Sequence, residues 1–197
     1  MFNASPLSDS QIDICVLLNM LDFEVVNIKL SLKLNSISYQ DILNKVQSLQ
    51  INQQLNFIVV FQKYTYSIFK PTKVTGNLHC NATKLREFSD IHDAINLLHI
   101  LFPEATLNNI TVDNITSTTK CDRKQNLNKL FSKLNYSYSL KYNLQKFPAI
   151  FIKIPVEDKK LTVFIFASGK VVCVGAKTEN HLKLISSWVK TEINNTL

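Results

Sequence analysis

The chain of 197 residues is long enough for one sizeable domain or two small ones. Its 46% hydrophobic and 19% charged residues are typical of a folded globular protein and exclude a disordered one, and no apolar run reaches the roughly 18 residues of a membrane-spanning helix. The net charge of +7 is compatible with nucleic acid as a partner, but no block of Lys and Arg localises that charge.

The N-terminal segment and the cysteines bear on processing and redox state. Residues 1–22 fit a short amphipathic helix or a tail, and because no basic segment precedes an apolar core there, we expect no signal peptide. The four cysteines, Cys15, Cys80, Cys121 and Cys173, are far apart and form no CxxC pair. Together with four scattered histidines, they predict reduced thiols in an intracellular protein and no metal site.

The first half of the chain combines strand and helix patterns. The predicted elements are a strand at 23–34, a helix at 39–49, strands at 57–61 and 64–69, and a helix at 84–101. The first strand is predicted from strict alternation of apolar and polar residues, which is typical of a half-exposed strand. Ser38 fits the N-cap of the first helix, and Phe102-Pro103 ends the second.

The second half shows the same order. The predicted elements are a strand at 107–117, a helix at 123–134, strands at 136–140 and 149–154, a hairpin at 161–177, and a helix at 181–193. In the hairpin, Ser168-Gly169-Lys170 forms the turn between two runs of β-branched and aromatic residues.

This recurrence predicts an internal duplication. The matching segments are Thr75-Gly76 with Ser168-Gly169 and Cys80 with Cys173, both 93 positions apart, and Asn27-Ile28 with Asn114-Ile115, 87 apart. A period near 90 residues that occurs twice indicates one pseudo-symmetric α+β domain and not a solenoid. We assign residues 23–105 to a first repeat and residues 106–197 to a second. Two such halves, joined through edge strands, would form one curved antiparallel sheet with helices on a single face.

Several segments resemble the TATA-box-binding protein family. Phe147-Pro148-Ala149-Ile150, followed by FIFASGKVVCVGAK at 164–177, is similar to the second repeat of that family, which has FP-G/A-L/I and then L-I-F-x-S-G-K-x-V-x-T-G-A-K at nearly this spacing. Val112-Asp113-Asn114-Ile115 resembles the first strand of the same repeat. The resemblance implies a saddle of ten antiparallel strands with helices on the convex side. Its concave face would sit on the minor groove of DNA.

When the family motif is matched to this sequence residue by residue, it implies two kinds of DNA contact: apolar side chains that insert between base pairs as wedges, and polar side chains that bind base edges. The wedges of the second repeat would be Phe147 and Phe166, with Phe57 as the first-repeat mate of Phe147. The polar contacts to base edges would be Asn114 and Asn27, because an amide NH2 can meet the acceptors that an A·T pair shows in the minor groove.

Other positions would contact phosphates or shape the groove flank. These candidates are Ser168, Lys170, Lys153 and Lys177. Val174 stands where the family has a threonine, and Asn81 stands there in the first repeat. Lys73, 93 residues before Phe166, stands where a further wedge is expected. The first repeat is therefore the degenerate one, with one of four wedges lost.

The resemblance implies a transcription initiation factor that binds AT-rich, TATA-like promoter DNA in the minor groove and kinks it with Phe wedges. Expected partners are a transcription factor IIB-like protein, other initiation factors and RNA polymerase. Expected locations are the nucleus or, for a large DNA virus, a cytoplasmic viral factory. We expect no cofactor and no enzymatic activity, because the motifs of hydrolases, kinases and zinc proteases are absent from the sequence.

Two rival functions are compatible with the same pattern. One is a protein-binding adaptor that keeps the saddle but has weak or no DNA binding, and a weaker one is an accessory domain of an enzyme. An open face that gathers the predicted Phe and Asn residues with lysines at its rim would favour DNA binding. Acidic residues on the first-half face, or residues 1–22 lying across it, would favour the adaptor.

Overall fold

The computed structural model describes residues 23–48, 57–69, 78–157 and 159–194. Within them the strands are β1 (Glu24–Asn35), β2 (Phe57–Phe61), β3 (Tyr64–Phe69), β4 (Leu78–Leu85), β5 (Thr106–Lys120), β6 (Ser139–Tyr142), β7 (Ala149–Val156), β8 (Lys159–Phe166) and β9 (Lys170–Ala176). The helices are α1 (Tyr39–Ser48), α2 (Ser89–Leu101), α3 (Leu127–Leu134) and α4 (Glu179–Val189), and a π-helical turn, Lys190–Asn194, extends α4. No helix in this part of the chain is long and apolar enough to cross a bilayer.

All of these strands join in one antiparallel sheet in the order β2-β3-β4-β1-β5-β9-β8-β7-β6. Alternate strand residues, such as Ile28 and Leu30 of β1, are fully buried in a core that also contains Leu98 of α2 and Leu182 of α4. The helices therefore cover one face of the sheet and leave the other open. This confirms the predicted α+β class and the saddle architecture.

The described strands number nine where ten were expected. The second half has five, β5 to β9, and the first half has four, β1 to β4. Residues 49–56, which precede β2, lie outside the described residues, and so does the predicted helix or tail at 1–22. The division into repeats at 23–105 and 106–197 stays a prediction.

Several predicted boundaries are wrong, and the helix expected over 123–134 begins only at Leu127. The helix expected over 84–101 begins at Ser89, because Leu85 still belongs to β4 and pairs with Ile28 of β1. Leu85 and Phe88 continue the 3.6-residue apolar period by coincidence, since one lies in a strand and the other in the turn before the helix. The strand expected over 136–140 forms at Ser139–Tyr142.

A buried carboxylate fixes the start of α2. Asp90 Oδ2 accepts the N–H groups of Arg86 at 2.7 Å and Glu87 at 3.1 Å, and Oδ1 accepts from the Tyr64 hydroxyl and from Lys63 Nζ. Burial by itself would raise the pKa of Asp90, but these hydrogen bonds outweigh it and lower that pKa to about 2. The carboxylate thus ties α2 to the β2–β3 hairpin.

The centre of the sheet is the pairing of β1 with β5. The central partners are Asn27 with Thr116, Ile28 with Ile115, and Lys29 with Asn114. This pairing is symmetric when each residue of β1 corresponds to the residue 87 positions later, as Asn27 does to Asn114. An approximate two-fold axis that relates the halves therefore passes through the pair of Ile28 and Ile115.

The same correspondence gives an alignment of β4 with β9 that differs from the one expected from the sequence. Ile28 pairs with Leu85 and Ile115 pairs with Ala176, so Leu85 and Ala176 are equivalent and lie 91 positions apart, not 93. The first-half residue equivalent to Val174 is consequently Thr83, and not Asn81.

The alignment of β3 with β8 shifts further. Thr65 pairs with Thr83, and Thr162 pairs with Val174, which makes Thr65 and Thr162 equivalent at an interval of 97 positions. The two hairpins explain the change, because eight residues separate β3 from β4 and three separate β8 from β9. An alignment on the glycines, as the sequence invites, therefore displaces β3 by four positions.

Candidate nucleic-acid interface

We use the term open face for the side of the sheet opposite the core. In the second half it consists of the strand residues that alternate with buried ones: Thr116, Thr118, Lys153, Phe151, Thr162, Phe164, Phe166, Val172 and Val174. Apart from exposed Lys153, these residues are half-buried although no helix covers them. Their side chains shield one another and give this half a largely apolar floor.

Four phenylalanines cluster at one end of this floor. Phe147, in the turn before β7, lies 5.7 Å from Phe164 and 5.9 Å from Phe166 between ring centroids. Phe151 lies 5.3 Å from Phe164, and all three contacts are edge-to-face, a favourable aromatic geometry. Phe147 remains 46% exposed. The structure thus brings Phe147 and Phe166 together on the open face.

Two members of this cluster lie outside the set inferred from the family motif. Alternation along β8 places Phe164 on the same face as Phe166, so the sequence contains the signal for Phe164. Phe151 is identified only through the pairing of β7 with β8, in which it lies opposite Phe164.

Asn27 and Asn114 have equivalent contacts on either side of the approximate two-fold axis. Asn27 Oδ1 accepts the backbone N–H of Lys84 at 2.8 Å, and Asn114 Oδ1 accepts that of Gly175 at 2.7 Å. Lys84 and Gly175 are the extra residues of β-bulges and have φ angles of 69° and 101°. Each asparagine therefore fixes the bulge of its neighbouring strand.

These hydrogen bonds determine which way each amide points. Because the oxygen is bound to a bulge, the NH2 group is the part that is directed away from the neighbouring strand. Asn114 Nδ2 donates one hydrogen to Thr116 Oγ1 at 3.1 Å, and its second hydrogen is left for a ligand. The centre of the open face therefore presents amide donors.

Lysines lie around the apolar floor. Lys170 of β9 pairs with Lys120 at the end of β5, and Lys153 pairs with Thr162 of β8. All three lysine side chains are exposed. They place positive charge on either side of the aromatic cluster.

The other two predicted contacts are placed differently. Ser168 is exposed in the β8–β9 turn, where its Oγ accepts the N–H of Lys170 at 3.3 Å. Lys177 lies beyond β9, and its N–H donates to Nδ1 of His181 at 3.2 Å at the start of α4. The turn serine is thus beside the open face, whereas Lys177 belongs to the connection that leads to the helix layer.

The segment between β5 and α3 clasps the β8–β9 turn. Cys121 N–H donates to Gly169 O at 2.8 Å, and Gln125 N–H donates to Ala167 O at 2.9 Å. Gly169 has a φ of 86°, and a Cβ at this position would lie 2.6 Å from Arg123 O. Only glycine fits this approach, which holds the turn beside Phe166.

The first-half wedge positions differ from those expected. The interval of 97 positions makes Phe69, opposite His79, the equivalent of Phe166, while Lys73 lies outside the described residues. Phe57 pairs with Ile68 and so takes the sheet position of Ile150, not that of Phe147. Phe69 is half-buried on the open face. The sequence alone does not identify it as the equivalent of Phe166, because the β3–β4 and β8–β9 connections differ in length.

The first-half face is more polar than the second. Val174, Val172 and Phe164 have Thr83, Asn81 and Ser67 as their equivalents. Apolar residues persist near the outer strands, where Ile58 is 39% and Val60 56% exposed. The apolar floor is therefore concentrated in the second half.

One carboxylate lies at the centre of the open face. Asp113 Oδ2 accepts from the hydroxyl of Ser31 and lies 3.4 Å from Lys29 Nζ. The side chains of Lys29 and Asp113 are 38% and 32% exposed, so the ion pair is open to solvent. This feature was not predicted, because Asp113 appeared only as part of a strand motif.

The described residues offer little for metal or thiol chemistry. No group of three or more His, Cys, Asp or Glu within them could hold a metal ion. Cys80, Cys121 and Cys173 are free and buried, and burial raises their pKa values to about 12, 11 and 12. Their thiols stay protonated at neutral pH, which gives no reactive thiolate.

A nine-stranded antiparallel saddle with helices on one face defines a TBP-like fold. The architecture is shared with Methanococcus jannaschii TBP, at a TM-score of 0.67 and 20% sequence identity over 88% of this chain and 99% of that chain. Residues 109–195 match the family model described as transcription factor TFIID, or TATA-binding protein. The second half of the chain is therefore similar to the TATA-binding protein family, and the described chain has the fold of that family.

Curated proteins show the same similarity. TATA-box-binding protein 1 of Triticum aestivum is 40% identical over 73 residues, which are 37% of this chain and 29% of that protein. The TATA-box-binding protein of Picrophilus torridus is 28% identical over 124 residues, 60% of this chain and 65% of that protein. The chain thus covers less than two thirds of the length of these relatives.

Proposed function

We propose that the open face binds the minor groove of AT-rich promoter DNA and that the protein acts in transcription initiation. The observation that carries the proposal is the cluster of Phe147, Phe164 and Phe166 on the open face, together with the two oriented asparagines at the centre of that face. Apolar rings on an uncovered face are costly in water unless a ligand covers them. DNA bases are such a ligand when a base step opens.

The aromatic cluster supports a wedge mechanism. A ring that enters a base step unstacks it at a cost of a few kcal/mol and bends the duplex away from the protein. The bend lets a curved sheet contact more of the widened groove, which repays that cost. Phe147 and Phe166 are the wedges and contact each other edge to face. Phe164 supports Phe147 through a second edge-to-face contact and is itself contacted by Phe151.

The asparagines support a preference for A·T pairs. In the minor groove an A·T pair shows only acceptors, while a G·C pair adds the guanine N2 donor. Asn27 and Asn114 have their oxygens bound to backbone N–H groups and direct NH2 donors outward. Lys120, Lys153 and Lys170 supply phosphate contacts, which give affinity without reading sequence.

The two halves contribute unequally. The second half supplies the phenylalanine cluster and kinks the DNA, and the more polar first half contacts the groove with less distortion. The convex helices then hold a transcription factor IIB-like protein, other initiation factors and RNA polymerase. The protein acts in the nucleus, or in a viral factory if its source is a large DNA virus.

Binding to labelled duplexes tests the proposal. The wild type, Phe147→Ala and Phe166→Ala are titrated against TATA-containing, other AT-rich and GC-rich duplexes over a salt series by fluorescence anisotropy. We expect tighter binding to AT-rich DNA and a loss of about tenfold or more in each variant, since base stacking is worth roughly 1–3 kcal/mol.

Leu184→Ala is the matched control, because Leu184 is an apolar residue of α4 that is 42% exposed. It should bind all duplexes as the wild type does. Equal affinity of the wild type for all duplexes, unchanged in both Phe variants, would contradict the proposal.

The adaptor is the second candidate, and two features favour it: the polar first-half face and the carboxylate of Asp113 at the centre of the open face. A carboxylate opposes contact with a polyanion unless it is neutralised. If the wild type bound no duplex at low salt, while its helices held initiation factors, the adaptor would be the function.

A further inference from the structure

The centre of the open face departs from two-fold symmetry at a pair of bulges. Between Val25 and Asn27, and again between Lys29 and Leu30, the β1–β5 register shifts. The residues without a partner in these shifts are Val26 of β1 and Asp113 of β5, which lie 87 positions apart and are therefore equivalent. The two bulges are symmetric in backbone, but one presents a valine and the other a carboxylate.

The contacts of Asp113 leave part of it available. Ser31 Oγ lies within hydrogen-bonding distance of both Asp113 Oδ2 and Asn81 Oδ1. A hydroxyl has one hydrogen, so it donates to the carboxylate, and the Asn81 amide turned by 180° donates to the hydroxyl. Lys29 Nζ lies 3.4 Å from the same Oδ2. Both contacts of the Asp113 carboxylate involve Oδ2, which leaves Oδ1 to accept from a ligand.

The groove chemistry identifies what such an oxygen can accept. Adenine N3, thymine O2 and guanine N3 are acceptors and would repel a carboxylate. The guanine N2 amino group is the one donor that a base edge shows in the minor groove. Lys29 offsets the charge of Asp113, so the carboxylate can approach DNA without a full unpaired negative charge.

We propose that Asp113 accepts a hydrogen bond from guanine N2 and so admits a G·C pair on one side of the centre of the DNA site. This inference rests on the proposed minor-groove binding. On the other side Val26 occupies the equivalent bulge and offers no acceptor, so G·C is disfavoured there. Asp113 thus gives a nearly symmetric saddle a preferred orientation on DNA.

Hypoxanthine provides the sharpest probe, because an I·C pair is a G·C pair without the N2 amino group and resembles A·T in the minor groove. AT-rich duplexes carrying one A·T, I·C or G·C pair at each central position are compared by anisotropy at fixed salt. For the wild type we expect G·C to bind at least as tightly as I·C at one position, on one side of the centre.

The main variant is Asp113→Val, which gives both bulges the same residue. We expect it to bind the G·C duplex about tenfold more weakly than the I·C duplex at every central position, the cost of a mismatched pair. Asp113→Asn keeps the shape of the side chain and should reduce the preference for G·C. Asp93→Val, at an exposed position of α2, is the charge control and should match the wild type. Thermal unfolding verifies that each variant is folded.

The outcomes separate this inference from the proposed function. The same G·C to I·C ratio in the wild type and both Asp113 variants, at every position, would overturn the role of Asp113 and leave AT-rich binding intact. Failure of the wild type to prefer any AT-rich duplex to a GC-rich one would overturn both.

Discussion

Asn27 and Asn114 stabilise the fold and, in the proposed function, also contact the DNA bases. Each amide oxygen holds the N–H of a bulge residue, and each amide nitrogen is left on the open face. The resemblance to the family motif identifies Asn114, and the interval of 87 positions identifies Asn27 as its mate. The sequence cannot predict their orientation, because that depends on Lys84 and Gly175, which are distant in the chain.

Asn114→Asp separates the two roles. A carboxylate still accepts the Gly175 N–H, and Thr116 can donate where it accepted before, so we expect thermal stability close to that of the wild type. The substitution removes the donor to an A·T base edge, so affinity for AT-rich DNA should fall by about 1–3 kcal/mol. Unfolding and anisotropy measurements on the same preparation verify this. Equal affinity of variant and wild type would show that the amide nitrogen does not contact DNA.

At the scale of elements, the β8–β9 hairpin is the best predicted part of the molecule. Its alternating aromatic and β-branched residues and its Ser-Gly-Lys turn predict strands, turn and open-face residues together. The predicted strands over 57–61 and 64–69 also form. The start of α2 is predicted wrongly, because a helical period does not distinguish the last residues of β4 from a helix.

The alignment of Lys73 with Phe166 is also wrong, because it is based on local sequence alone. Glycine positions give an interval of 93, whereas the hydrogen-bonded register gives 97 for β3 and β8. Hairpin length is not encoded in the strands themselves, so the equivalence of Phe69 and Phe166 becomes visible only in the sheet. The polar network around Asp113 is likewise a product of the register between β1 and β5.

Gly169→Ala tests the clasp on the hairpin. A Cβ there would lie 2.6 Å from Arg123 O in a backbone with positive φ, so we expect a loss of unfolding free energy of more than about 1 kcal/mol. Gly175→Ala is the matched comparison. Its Cβ would approach only Leu161 Cδ2 at 3.7 Å, and the equivalent Lys84 already tolerates a positive φ. Denaturant unfolding should rank Gly169→Ala as the less stable variant, and the opposite ranking would contradict the clasp.

In the molecule as a whole, the two halves have equivalent strand pairing, but the residues on their open faces differ. The second half keeps an apolar, aromatic floor, whereas the first has Thr83, Asn81 and Ser67 at equivalent positions. The resemblance to the family follows this division, since the matched family model covers residues 109–195. We therefore expect DNA distortion to be concentrated at the end held by Phe147 and Phe166.

Bending of an AT-rich duplex, measured by resonance energy transfer between dyes at its two ends, tests this account most directly. We predict higher transfer when the wild type or Leu184→Ala binds, because the kinked duplex brings its ends together. At saturating protein, Phe147→Ala combined with Phe166→Ala should leave the duplex nearly straight. A saturated wild-type complex with unbent DNA, or equal bending by the double variant, would contradict it.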